Sequence, residues 1–251
     1  MMGEILRVLG WLLAAIVGLA VAYVLLLAIS ALAVDPGRTY EKDSRYYRFL
    51  LYSATFLCVH LLGIRLHCRD LDQVPKSGRI LLVGNHRSNF DPILTWYCLR
   101  GSELAFVSKK ENFSIPIFGR FIHRCGFLAI DRENPRNALQ TIEQAAGLIQ
   151  ADRNSVAIYP EGTRSKSGEL LPFHNGVFKI AKLADVPIVV LAMEGTEKIH
   201  KNYLRRPTDV WIRVTDVLSR EDVAASRTCQ IGQRVRTSLE QALEERENVN
   251  V

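Results

Sequence analysis

The chain has 251 residues, of which 48% are hydrophobic and 23% charged, and a formal net charge of +6. That length suffices for one substantial core or two small ones, and the positive charge fits attraction to anionic lipids or an anionic substrate. Nucleic acid is the weaker partner, because the basic residues are scattered and build no long basic helix. The five cysteines are widely spaced, odd in number and free of any C-x-x-C pair, which argues for a reducing compartment or inert thiols over a disulfide framework or a zinc site.

The apolar residues are unevenly distributed. Leu9 to Val34 is a run of 26 residues without a charge. As a helix it would extend roughly 39 Å, longer than the roughly 30 Å hydrocarbon core of a bilayer. The rival reading is a cleaved signal peptide, with Arg7 before the run and the small-x-small pattern Ala31-Leu32-Ala33 near its end. The run is much longer than the apolar core of a usual signal, so a retained membrane segment is expected. Arg38, Lys42, Arg45 and Arg48 follow it, against Arg7 before it, a bias that puts the larger domain on the cytoplasmic side of an inner or cytoplasmic membrane. A second uncharged run, Phe49 to Ile64, has 16 residues and is marginal for a crossing. It reads as an interfacial helix with Arg45, Arg48 and Arg65 reaching phosphates, or as a helix packed on the following domain. His60 within it reads as a satisfied helix residue.

The chain changes character near residue 67, dividing into an anchoring helical segment, 1–66, and an α/β domain, 67–251. Expected strands are Arg79–Gly84, Leu104–Val107, Gly126–Ile130, Ser155–Ile158, Val186–Leu191 and Trp211–Val214. Between them fall a helix starting near Asp91-Pro92, a short one around Ile115–Ile122, one capped by Asn134 that runs to about Gln150, and one over Gly176–Lys182. Ser219 and Asp222 have capping-box spacing, and Arg234 to Glu247 reads as a polar helix.

Two polar clusters sit at strand ends. Asn85-His86-Arg87-Ser88-Asn89-Phe90-Asp91 follows one apolar run, and Tyr159-Pro160-Glu161-Gly162-Thr163-Arg164-Ser165 follows another. An imidazole titrates near neutrality, so His86 is the candidate general base, with the Asp91 carboxylate to orient it and stabilise its cation. Asp91 is also placed to cap the next helix. Arg164 has the fork geometry to hold a phosphate, beside the permissive backbone of Gly162. The spacing is not that of a nucleotide-binding P-loop, and no ligand set argues for a metal.

These blocks closely resemble the glycerolipid acyltransferases. The H-x-x-x-x-D block matches His86 to Asp91. A second resembles Ile115-Pro116-Ile117-Phe118-Gly119, continuing to Gly126 and Ile130-Asp131-Arg132. A third, usually F-P-E-G-T-R-S, matches Tyr159 to Ser165 with Tyr for Phe, and a V-P-I-V strand matches Val186 to Val189. Family members often carry Lys where this chain has His174. The resemblance implies a mixed sheet with flanking helices, preceded by membrane-associated helices. It implies acyl transfer, without a cofactor, from acyl-CoA or acyl-carrier protein to the 2-hydroxyl of lysophosphatidate at a phospholipid membrane. His86 is then the base and Asp91 its orienting partner. Glu161, Gly162, Thr163 and Arg164 shape the glycerophosphate site, and Arg132 with Lys109 or Lys110 contact a phosphate. Two alternatives stand: glycerol 3-phosphate or another lysophospholipid as acceptor, and a catalytically degenerate lipid-binding protein.

Overall fold

The computed structural model describes residues 1–38, 40, 43–131, 134–203 and 205–249, without the side chains of 135 and 246–249. α1 (Met2–Leu32) is one continuous helix of 31 residues, containing no proline and ending before Pro36. Its large apolar side chains, from Ile5 to Leu32, are exposed almost without exception. It is long and apolar enough to cross a membrane, and its uncovered apolar surface associates the protein with one. Near its end Ser30 and Ala31 are buried against α2 (Arg45–Leu61). Tyr23 bonds Ser53 and Ser30 bonds Tyr46, so partners run backward along α2 as α1 runs forward, and the second half of α1 lies antiparallel to the first half of α2.

α2 has two faces. Tyr47, Leu50, Leu51 and Val59 are buried in the core, while Phe49, Phe56 and Leu61 are exposed, so the helix packs on the domain and still presents apolar surface. Arg48 departs from the expectation that it reaches phosphates. It is 6% exposed, pairs with Asp43, donates to the Leu104 carbonyl at 3.2 Å and lies over the Trp96 ring. A guanidinium on the buried face must be paired where it sits. His60 Nδ1 meets the Phe56 carbonyl at 2.8 Å, the satisfied helix residue expected of it.

The remaining elements alternate around a sheet. In chain order they are β1 (Ile64–Arg69), β2 (Leu81–Gly84), α3 (Phe90–Cys98), β3 (Leu104–Lys109), α4 (Phe118–Arg124), β4 (Leu128–Ile130), α5 (Pro135–Gln150), β5 (Ser155–Ile158), α6 (Lys179–Ala184), β6 (Ile188–Glu194), α7 (Ile199–Asn202), β7 (Thr208–Leu218), α8 (Arg220–Ala225) and α9 (Thr228–Val249). Among the described residues seven strands form one sheet in the order β1-β7-β6-β2-β5-β3-β4. β6, β2, β5, β3 and β4 run parallel, β7 is antiparallel to β6, and β1 runs parallel to β7.

Side chains alternate across each strand, so the sheet separates two cores. Leu82, Leu191, Phe106 and Ala157 face one core with α2, α3 and α4; Leu81, Val83, Val190 and Ile158 face the other with α5, α6 and α9. Three expectations change here. β1 was not anticipated, because it shares only Ile64 with the second apolar run, and Arg65, His67 and Arg69 interrupt the apolar pattern that would mark a strand. α9 begins at Thr228, six residues before the expected start, since Ile231, Val235, Leu239 and Leu243 form a narrow buried stripe four residues apart in an otherwise polar segment. The helix expected from Ile115 begins only at Phe118. Ile117 has a φ of 63° and the Phe118 amide donates to the Pro116 carbonyl at 2.7 Å, a tight turn that reverses the chain first. Gly119 follows because a Cβ there would lie 2.1 Å from the Phe113 carbonyl oxygen.

Candidate active site

Register brings the two polar clusters together. β2 and β5 are adjacent and parallel, with Val83 opposite Ile158. His86 and Glu161 each lie three residues beyond those partners, and the His86 amide donates to Glu161 Oε1 at 2.6 Å. β3 ends beside them at Lys109, so the clusters share the carboxyl edge of the parallel strands, where α/β sheets leave a crevice. As β2 ends, Asn85 extends its pairing with β6 by side chain: its amide donates to the Met193 carbonyl and accepts from the Met193 amide, both at 2.8 Å.

Asp91 sits in the first turn of α3 and is 0% exposed. Its Oδ2 meets His86 Nδ1 at 2.7 Å and accepts from the amides of Arg87 at 2.6 Å and Ser88 at 2.7 Å. Its Oδ1 accepts from the Thr196 hydroxyl at 2.5 Å. The same carboxylate therefore shapes the helix entry and engages the imidazole. With the carboxylate at Nδ1, a neutral His86 carries its proton there and its lone pair at Nε2. The imidazole stacks on Tyr159, with centroids 4.4 Å apart and planes 10° from parallel. The Tyr159 hydroxyl is 3.4 Å from the Thr95 hydroxyl, and burial pushes its pKa well above the usual phenol value.

Glu161 is 3% exposed, and its second oxygen accepts from the Leu171 amide at 2.9 Å. Burial raises its pKa against the opposing pull of the two amide bonds. With both oxygens so engaged it braces the His86 backbone and the loop to Leu171, behind the cavity wall. Gly162 has a φ of 67°, and a Cβ there would lie 2.9 Å from the His174 ring, so its close approach requires glycine.

A cavity of about 1160 Å³ opens at this edge of the sheet. His86, Ile93, Trp96, Phe106, Phe118 and Phe127 are among its walls, joined by Leu51 and Thr55 of α2. Gly162, Thr163, Arg164 and Lys109 line it as well. Lys110 is exposed and outside the lining, and Arg132 lies outside the described residues. The lining also holds His174, noted from the sequence as standing where family members often carry Lys, and Lys179, which the sequence did not single out. Lys109, Arg164 and Lys179 form no ion pair among the described residues, and no carboxylate is among the residues that line the cavity. Among the described residues these cations face the concave surface without a carboxylate partner and attract an anion, while an acyl chain suits the aromatic and aliphatic wall.

A family model described as Acyltransferase matches residues 65–194, just over half of the chain. This chain belongs to the acyltransferase family. It is 34% identical over 145 residues to a 1-acyl-sn-glycerol-3-phosphate acyltransferase of Escherichia coli, covering 57% of this chain and 59% of the relative. A protein of the same description from Haemophilus influenzae is 34% identical over 143 residues, with the same shares covered. The matched stretch thus spans less than two thirds of these bacterial relatives. The mouse 1-acyl-sn-glycerol-3-phosphate acyltransferase alpha is 28% identical over 222 residues, 86% of this chain and 76% of that one. The crystal structure of the 1-acyl-sn-glycerophosphate acyltransferase from Thermotoga maritima shares the fold, with a TM-score of 0.69, 18% identity and coverage of 90% of this chain and 88% of that one. The mixed sheet with flanking helices, entered through an apolar N-terminal helix, is the architecture that the motif resemblance implied.

Proposed function

We propose that the protein transfers an acyl group from a thioester, acyl-CoA or acyl-carrier protein, to the 2-hydroxyl of 1-acylglycerol 3-phosphate, forming phosphatidate. The observation that carries this reading is the His86–Asp91 pair at a cavity with an apolar wall and with Lys109, Arg164 and Lys179 in its lining, which among the described residues holds no carboxylate and no ion pair to these three. The names of the sequence relatives support the same acceptor. His86 Nε2 takes the proton of the acceptor hydroxyl as its oxygen attacks the thioester carbonyl. When the tetrahedral intermediate collapses the C–S bond breaks, and the thiolate leaves with the proton returned by His86. Asp91 holds the tautomer and offsets the imidazolium charge between these steps. Arg164, with Lys109 and Lys179, meets substrate phosphate, and Glu161 keeps the His86 backbone in register with the phosphate loop. α1 spans the bilayer and leaves the domain on the cytoplasmic face, with Arg38 and Arg45 on that side; Lys42 lies outside the described residues.

Thiol release from acyl-CoA tests the reading. It should be fastest with 1-acylglycerol 3-phosphate and much slower with glycerol 3-phosphate or an uncharged monoacylglycerol. His86→Ala should lower turnover by roughly 10²–10⁴-fold, the usual contribution of general acid–base assistance, without changing the melting temperature by more than a few degrees. A folded variant that keeps more than about a tenth of the activity would remove His86 from the role.

A further inference from the structure

Cys68 and Cys98 take no part in the proposed chemistry, yet their side chains are neighbours. Cys68 is exposed on β1, an edge strand hydrogen-bonded only to β7; Cys98 is half-buried as the last residue of α3. Thirty positions separate them in sequence, and their Sγ atoms are 3.7 Å apart. A disulfide bond needs about 2.05 Å, so closure asks for an approach of roughly 1.7 Å. Side-chain rotation at an exposed edge-strand residue supplies a movement of that size.

We infer that Cys68 and Cys98 form a reversible dithiol–disulfide site, closed by a peroxide and reopened by a thiol reductant. The hydrogen bond from Cys98, aided by the charge of His67, lowers the Cys68 thiol to about 7, while the same bond pushes Cys98 up. Cys68 is therefore the attacking sulfur. Its thiolate takes one oxygen from hydrogen peroxide, becoming a sulfenic acid as the O–O bond breaks and hydroxide leaves to be protonated as water. Cys98 then attacks that sulfur, the S–O bond breaks, and a second water carries away the Cys98 proton. The two thiols lose two electrons and the peroxide gains them. Cys125 lacks this chemistry, since it is buried and its thiol is pushed up to about 12 by burial.

The bridge would join two parts of the cavity's apolar wall. α2 passes into β1 within three residues, and α3 carries Asp91 in its first turn and lines the cavity at Ile93 and Trp96. Oxidation would tie the exit of α2 to the far end of α3 and restrain the wall that both helices build.

The test uses the full-length protein in detergent, reduced, treated with hydrogen peroxide, alkylated and digested with trypsin. The expected product is peptide 66–69 joined to peptide 88–100, with two thiols lost per chain, a melting temperature raised by several degrees, and reversal by dithiothreitol. Cys68→Ser, a mild change at an exposed site, should abolish the linked peptide and leave Cys98 open to alkylation. Cys229→Ser should leave the linkage unchanged. Recovery of the two peptides separately alkylated, or of Cys68 only in dimers between chains, would overturn the inference.

Discussion

Asp91 concentrates more of the site's energetics than any other side chain described. Four donors converge on a carboxylate with no exposure, and hydrogen bonds to a charged acceptor are worth about 1.5–3 kcal/mol each. Asp91→Asn can keep an oxygen toward the imidazole and the two amides by turning its NH2 to the Thr196 hydroxyl, but it removes the charge that strengthens those bonds and offsets the imidazolium. We expect turnover to fall at least about 100-fold, in the range of lost acid–base assistance, together with a fall in melting temperature, because the same oxygen organises the start of α3. Thr196→Val separates the two effects. It removes only the bond to Oδ1, away from the imidazole, and leaves a buried lone pair unmet at about 1–3 kcal/mol. Its melting temperature should fall measurably while turnover drops by about tenfold or less, the equivalent of about 1.4 kcal/mol. A Thr196→Val enzyme as slow as Asp91→Asn would mean that the carboxylate acts through its overall position rather than through the His86 contact.

At the scale of elements, the position of the site was legible because each polar cluster directly follows a short apolar run, and a strand end is where a parallel sheet exposes such residues. His86 and Asp91 stood out through their spacing, and Arg164 through its neighbours. What stayed hidden depends on contacts between distant segments. Thr196 lies 105 positions after Asp91, and Asn85 pairs with Met193 only because β6 adjoins β2. Lys179 reads as an ordinary helix residue until α6 is folded against the cavity. β1 and the first turns of α9 were missed because local composition pointed elsewhere, and pairing with β7 or a narrow buried stripe decided the outcome. The cationic wall makes a prediction of its own. Arg164→Ala and Lys179→Gln should each raise the KM for 1-acylglycerol 3-phosphate several-fold and leave use of an uncharged monoacylglycerol nearly unchanged, since each removes a charge that meets phosphate. Equal impairment with both acceptors would contradict a phosphate contact.

The whole molecule has two cores, a cavity where they meet the edge of the sheet, and an apolar hairpin at one side. Leu51 and Thr55 of α2 line that cavity while Phe49, Phe56, Leu57 and Leu61 of the same helix are exposed, so the route for an acyl chain and the apolar outer surface share one element. This arrangement changes where the anchor can be cut. Removing residues 1–65 would take away Tyr47, Leu50, Leu51 and the start of β1, all within the packed domain, and should yield an unstable product. Removing 1–28 instead keeps Ser30, Ala31 and Val34, the buried residues that join α1 to the rest. Each exposed Leu, Ile or Val of α1 gains about 1.5–3 kcal/mol on full burial, and such burial is not screened by salt. The full-length protein should therefore stay with vesicles through washes in high salt and at alkaline pH. The 1–28 deletion should fold, with a cooperative melting transition, and divide between membrane and supernatant, its residual binding carried by the exposed face of α2. Release of the intact full-length protein by salt or alkali would exclude α1 as an embedded anchor, and complete retention of the deletion after both washes would assign the main attachment to α2.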